Sequence, residues 1–108
     1  MDTNNQFIKF LKEIWKDNTP EEAVNLWKWR INNYPEVAKG FLDSIQHILN
    51  SPPDNFIEIV RENGWIYLDH EDSEGNITSF SSEEYLEWFH KMNDQFKKIY
   101  EEIVSARK

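Results

Sequence analysis

The 108-residue chain contains no cysteine. That excludes disulfides, thiolate zinc sites and cysteine nucleophiles. Glycine and proline are scarce, at three and four residues, so no flexible linker divides the chain, and most of them mark short connections between helices. No apolar run approaches the roughly 18 residues that a membrane span needs. No basic segment leads into an apolar one as in a secretory signal. Bases are also few: twelve Lys and Arg face twenty Asp and Glu, giving a formal charge of −8 and a pI near 4.8. Direct nucleic-acid binding depends on neutralising phosphates and is not expected of such a chain. A reducing, cytoplasmic location is expected.

Rings are plentiful. Five Trp, four Tyr and seven Phe offset a hydrophobic content of 39%, because each buried ring removes a large area from water. One domain spanning residues 1–108 is expected. Phe7, Ile8, Leu11, Ile14 and Trp15 share a helical face from Asn5 to Lys16, with Phe10 beside it and Asp17-Asn18 as the stop. Thr19-Pro20-Glu21-Glu22 is a capping box with proline at the first helical position. The helix it opens runs to about Asn33, with Trp29 partly exposed. A third helix spans Pro35 to Asn50, and Gly40 within it allows close approach of a neighbour. Ser51-Pro52-Pro53-Asp54 starts a short fourth helix that stops at Asn63-Gly64, with Gly64 able to take a left-handed conformation.

Trp65 to Asp69 alternates as a strand, with Trp65, Tyr67 and Asp69 on one side and Ile66 and Leu68 on the other. A turn over His70 to Asn76 and a second strand over Ile77 to Phe80 complete a hairpin. Ser81-Ser82-Glu83-Glu84 opens a last helix that reaches about Ala106. Tyr85, Phe89, Met92, Phe96, Ile99 and Ile103 step along it as a heptad-like seam. That seam is read as the central helix of a monomer; a homodimer seam is the alternative. The fold class is therefore mainly α: a five-helix, bundle-like domain with a short two-stranded β-hairpin before a long C-terminal helix.

The charge is not spread evenly. Asp54 to Glu87 carries ten acids and the single base Arg61, so the remainder of the chain is close to neutral. A calcium loop around Asp69 to Asn76 fails on spacing: with Gly75 at the sixth position, His70 and Ser81 fall where the first and last oxygen ligands belong. His70 has carboxylates beside it in sequence, but Asp69 and His70 point to opposite faces of a strand, and no nucleophile is placed by a motif. His47 is expected half-buried and His90 solvated. No catalytic residue, metal or cofactor is expected. Glu83, Glu84 and Glu87 suit a helix N-terminus for dipole reasons alone. The block as a whole reads as either a solubilising surface or a face for a basic partner. Asp69, Glu71, Asp72 and Glu74 would lead such a face, with Glu58, Glu62, Glu83 and Glu87 flanking. Trp65, Tyr67, Tyr85 and Trp88 lie near it in sequence, and Tyr85 and Trp65 are expected in the core.

Several segments carry a resemblance. Thr19-Pro20-Glu21-Glu22-Ala23-Val24 opens one helix and Leu42 to Leu49 closes another. Pro53-Asp54 begins a helix that ends Glu62-Asn63-Gly64-Trp65-Ile66-Tyr67. Ser82-Glu83-Glu84-Tyr85-Leu86-Glu87-Trp88 heads the last. Over about residues 19 to 90 this layout resembles small acidic bacterial immunity proteins of contact-dependent growth inhibition systems. Trp65 stands where that group has Cys after Gly, and the order within the final segment differs. The resemblance implies a non-catalytic antitoxin that binds and blocks a cognate toxin domain, commonly a nuclease with a basic surface. The competing expectation is a non-catalytic interaction adaptor or regulator with an acidic binding face.

Overall fold

A computed structural model describes residues 3–107 of the protein. The domain expected over residues 1–108 includes Met1, Asp2 and Lys108, which lie outside the described residues. Among the described residues the chain is mainly helical: α1 (Thr3–Phe10), α2 (Pro20–Asn33), α3 (Pro35–Asn50), α4 (Phe56–Gly64) and α5 (Ser82–Ala106), with strands β1 (Asp69–Glu71) and β2 (Ile77–Ser79) before α5. The patterning predicts this order, and the differences are local.

The first helix begins earlier than Asn5 and widens into a π-helical turn over Leu11–Trp15. That turn is closed by the Lys16 N–H donating to the Leu11 carbonyl at 2.9 Å. Asp17 then adopts a left-handed conformation, φ 65°, and the Asn18 side chain donates to the Ile14 carbonyl at 2.9 Å. Phe10, expected beside the apolar face, is at its centre and fully buried, while Ile8 lies at the margin. The Thr19 box forms in full. The Glu22 N–H donates to the Thr19 hydroxyl at 3.1 Å and the Thr19 N–H to the Glu22 carboxylate at 2.8 Å. The matching box of Ser81 and Glu84 opens α5.

The core is aromatic. Phe10 meets Trp27, Phe41 and Phe96 edge-on at 5.7–6.0 Å, and Trp27 stacks on Phe96 at 5.1 Å. Edge-to-face and offset contacts of this kind are favoured by the ring quadrupole. The buried Trp27 indole N–H donates to the Phe96 carbonyl at 2.9 Å, tying α2 to α5. Helices α2 and α3 pack on each other and both pack on α5, so the Tyr85 to Phe96 part of the seam is spent inside the bundle. At the far end of α5, Arg107 donates to the Asn32 carbonyl at 3.2 Å. That places a cation at the C-terminus of α2, where the helix dipole favours one.

Four positions differ from expectation. Helix α4 starts at Phe56 rather than at the Pro52–Asp54 segment, after a turn through Asp54 and Asn55, and Asn55 makes no side-chain cap. His47 is exposed, because the buried stripe of α3 runs Ala38, Phe41, Leu42, Ser44, Ile45, Ile48 and Leu49 and leaves it outside. Gly64 is helical and buried, and the left-handed residue is Trp65, φ 54°. Glycine is favoured at 64 for a different reason. A Cβ there would lie 3.1 Å from the Leu11 side chain, so one fits only if that side chain gives way. A non-glycine residue in the left-handed region costs about 1–2 kcal/mol, and here that cost falls on a tryptophan. Trp65, expected in the core, is 51% exposed. Gly40 does serve close approach, with the Gln6 side chain 3.1 Å from where its Cβ would be.

The expected Trp65 to Asp69 strand also shifts. The ladder pairs Asp69 with Ser79, His70 with Thr78 and Glu71 with Ile77, and the Phe80 N–H adds one bond to the Leu68 carbonyl at 2.9 Å. Beyond that bond the ladder stops: residues 65–68 are not part of a strand, and Ser81 already caps α5. The alternation survives as burial: Ile66 is buried and Leu68 half-buried, while Trp65, Tyr67 and Asp69 are exposed.

Candidate functional site

The hairpin is attached by side chains rather than by backbone packing. Every residue of β1 and β2 is exposed. His70 turns back toward the bundle. Its ring stacks on Phe80 at 4.4 Å and its Nε2 is hydrogen-bonded to the Glu84 carboxylate. Phe80 in turn meets Tyr85 edge-on at 6.1 Å. The ring of Tyr85 is buried, and its hydroxyl accepts from the Leu68 N–H at 3.0 Å and from the Arg61 Nε at 3.3 Å. Tyr85 is therefore a core residue, as expected. It fixes the entrance of the hairpin and holds the only base of the acidic stretch.

Arg61 lies within 6 Å of two rings, with its Cζ 5.7 Å from the Tyr85 centroid and 5.8 Å from that of Tyr67. The Tyr85 hydrogen bond, with Asp69 nearby, raises its already high pKa. Arg61 thus remains cationic throughout the ordinary pH range and is committed to this cluster.

The acids divide by what their oxygens do. Asp72 builds the turn: its carboxylate accepts from the N–H groups of Glu74 and Asn76, both at 2.9 Å, and from the Asn76 side chain at 3.1 Å. These bonds, the Asn76 N–H foremost, lower its pKa. Glu84 accepts from the Ser81 N–H at 3.0 Å, and this bond, with His70 second, lowers its pKa too. Glu87 is paired with Lys91 at 3.3 Å one turn further along α5, both exposed. Asp69, Glu71 and Glu74 are exposed, and among the described residues no ion pair engages their carboxylates. Glu58 and Glu62 lie one turn apart on α4, both exposed, and Glu83 is exposed at the start of α5. Glu58 lines a shallow groove between α4 and α5 with Asp54, Arg61, Ser82 and Leu86.

The structure therefore brings Asp69 and Glu71 to one side of β1, adds Glu74 at the hairpin tip, and flanks them with helix-borne acids. Asp72 belongs to the scaffold of the turn. Among the described residues no three His, Asp or Glu side chains converge as a metal cage. No family model, curated protein or solved structure matches this chain.

Two rings complete the surface. Trp65 is 51% and Tyr67 62% exposed, and both lie on the outward side of the segment leading into Asp69. The signal was present in the alternation, which sets Trp65 with Tyr67 and Asp69; a prior for burying tryptophan points the other way. Trp88, the remaining nearby ring, is half-buried against Trp15 at 5.4 Å and Phe89 at 4.9 Å.

Proposed function

We propose that the protein is an antitoxin: a non-catalytic, cytoplasmic immunity protein that binds a cognate toxin domain of basic, nuclease type and neutralises it through the acidic surface of residues 54–87. One observation carries the reading. Exposed acids gather on a protruding hairpin and the adjoining helix ends, while the single base among them, Arg61, is hydrogen-bonded to Tyr85. A nuclease grips phosphates with Lys and Arg. A protein presenting carboxylates on a projecting element competes for that groove or covers a neighbouring face. Complementary charge also speeds encounter and disfavours wrong partners. The resemblance to immunity proteins of contact-dependent growth inhibition supports the same conclusion.

The test is co-expression with the protein encoded immediately upstream. Co-purification of a basic fragment, with growth only when this chain is present, is the expected result. Reversing Asp69, Glu71 and Glu74 to Lys is expected to weaken that complex and leave the unfolding midpoint nearly in place, since among the described residues none of the three carboxylates makes an ion pair and only Asp69 acts, at longer range, on Arg61. A neighbour that neither binds nor is toxic overturns the antitoxin reading and leaves an acidic face for a different basic partner.

A further inference from the structure

Among the described residues six large apolar side chains are substantially exposed, in two groups: Trp29, Tyr34 and Val37 where α2 meets α3, and Trp65, Tyr67 and Ile77 at the hairpin. The first group closes on itself. Trp29 and Tyr34 are 5.8 Å apart, and Arg30 lies 5.6 Å from each ring while pairing with Glu13 at 3.2 Å. The second group does not. No other aromatic ring among the described residues packs on Trp65 or Tyr67. What each ring does carry is a cation: Lys16 Nζ lies 5.0 Å from the Trp65 centroid and Arg61 Cζ 5.8 Å from that of Tyr67.

We infer that the strip Trp65–Tyr67–Asp69–Glu71 is a docking surface for an arginine-bearing, extended segment of the partner protein. The inference rests on the antitoxin reading and names the chemistry by which its partner is recognised. Asp69 and Glu71 are alternate residues of β1, roughly 6.6–7 Å apart, and the exposed rings of Tyr67 and, beyond it at the left-handed turn, Trp65 precede them, so the strip offers two rings and then two carboxylates spaced for a second extended chain. Both halves suit a guanidinium. It is planar, weakly hydrated and stacks on rings, and its fork matches a carboxylate. An ammonium satisfies only the charge. The Lys16 ammonium occupies the position over Trp65 that an incoming guanidinium would take, and it is the weaker occupant. The surrounding acids repel nucleic acid, leaving a basic protein as the partner.

The strip is tested on the full chain by amide and indole NMR titration with two peptides of equal charge, Arg-Ser-Arg-Ser-Arg-Ser and Lys-Ser-Lys-Ser-Lys-Ser. The arginine peptide is expected to move the Trp65 indole N–H and the amides of residues 66–71, and to bind about five-fold tighter than the lysine peptide. Trp65→Gly is expected to remove that preference in a protein that still folds, since glycine accepts the left-handed conformation freely. Tyr67→Ala, which leaves the backbone unchanged, is expected to reduce it. Lys16→Gln is expected to tighten arginine binding more than Lys12→Gln, which makes the same charge change four residues earlier. Equal affinity for the two peptides, no binding, or an arginine preference that survives Trp65→Gly overturns the strip. The growth assay is independent of those results. A toxin neutralised by a protein that shows no arginine preference leaves the antitoxin reading standing and the strip refuted.

Discussion

The two ends of this molecule treat aromatic side chains in opposite ways. In the bundle, Phe10, Trp27, Phe41 and Phe96 are sealed from water, their edges meet faces, and the Trp27 indole N–H has a buried acceptor. At the hairpin, Trp65 and Tyr67 face solvent, one of them in a backbone conformation that tryptophan adopts at a cost. The same residue type stabilises one region and strains the other. Burial and ring packing account for the first. Folding does not account for the second, and side chains kept where folding does not need them are candidates for binding.

Substitutions should separate the two regions. The largest effect belongs to the bundle. Trp27→Ala removes the ring at the α2–α5 contact and the buried indole bond to the Phe96 carbonyl, and is expected to cost about 3–5 kcal/mol, read as a lower urea midpoint. Gly64→Ala comes next. Its Cβ would press on the Leu11 side chain, whose own Cβ lies 3.3 Å away and cannot rotate aside. Overpacking of about 1–3 kcal/mol, partly offset by better helix propensity, leaves a net loss of about 1 kcal/mol. Trp65→Gly, one residue on, is expected to move the other way and gain about 0.5–1 kcal/mol by relieving the left-handed strain. Neighbouring glycine and tryptophan would then respond with opposite signs to the exchange of small and large side chains. A loss of stability in Trp65→Gly would show that the exposed ring is structural after all.

The smallest effect is confined to the hairpin and depends on pH. Asp72 and Glu84 have lowered folded-state pKa values. The stability they contribute is therefore complete above their unfolded values, near 4, and is lost as pH falls through the lower folded values. The protection of the Glu74 and Asn76 amides, whose N–H groups donate to Asp72, is expected to fall on acidification relative to their intrinsic exchange rates, while the bundle amides remain protected. Simultaneous loss of protection in both regions would mean that hairpin and bundle form one cooperative unit.

Helical periodicity and turn chemistry made the bundle legible. Both capping boxes, the order of elements and the buried seam followed from residue spacing, because local hydrogen bonds and a 3.6-residue repeat decide them. Less legible was whatever depends on a distant neighbour. The approach of Leu11, distant in sequence, is what makes position 64 tight for a side chain, and the left-handed residue after it is Trp65. The pairing of the hairpin ends at the Leu68–Phe80 bond, so most of the expected first strand has no partner. In the acidic stretch, composition revealed the charge but not its division of labour. That Asp72 and Glu84 are consumed by the fold, while Asp69, Glu71 and Glu74 are not, is a matter of hydrogen-bond geometry.

The hairpin has a further consequence. Two strands alone leave an unpaired edge on each side, and an exposed edge is a template on which a second copy of the same chain can add a strand. Here Asp69 and Glu71 lie on one of those edge strands, with Asp72 and Glu74 at the tip. A second copy adding its own β1 to that edge would set the same carboxylates against them, and like charges directly opposed across strands are unfavourable. The acids that make the element attractive to a basic partner thus also guard the β1 edge against its own copy, in a part of the molecule too short and too exposed to be protected by burial.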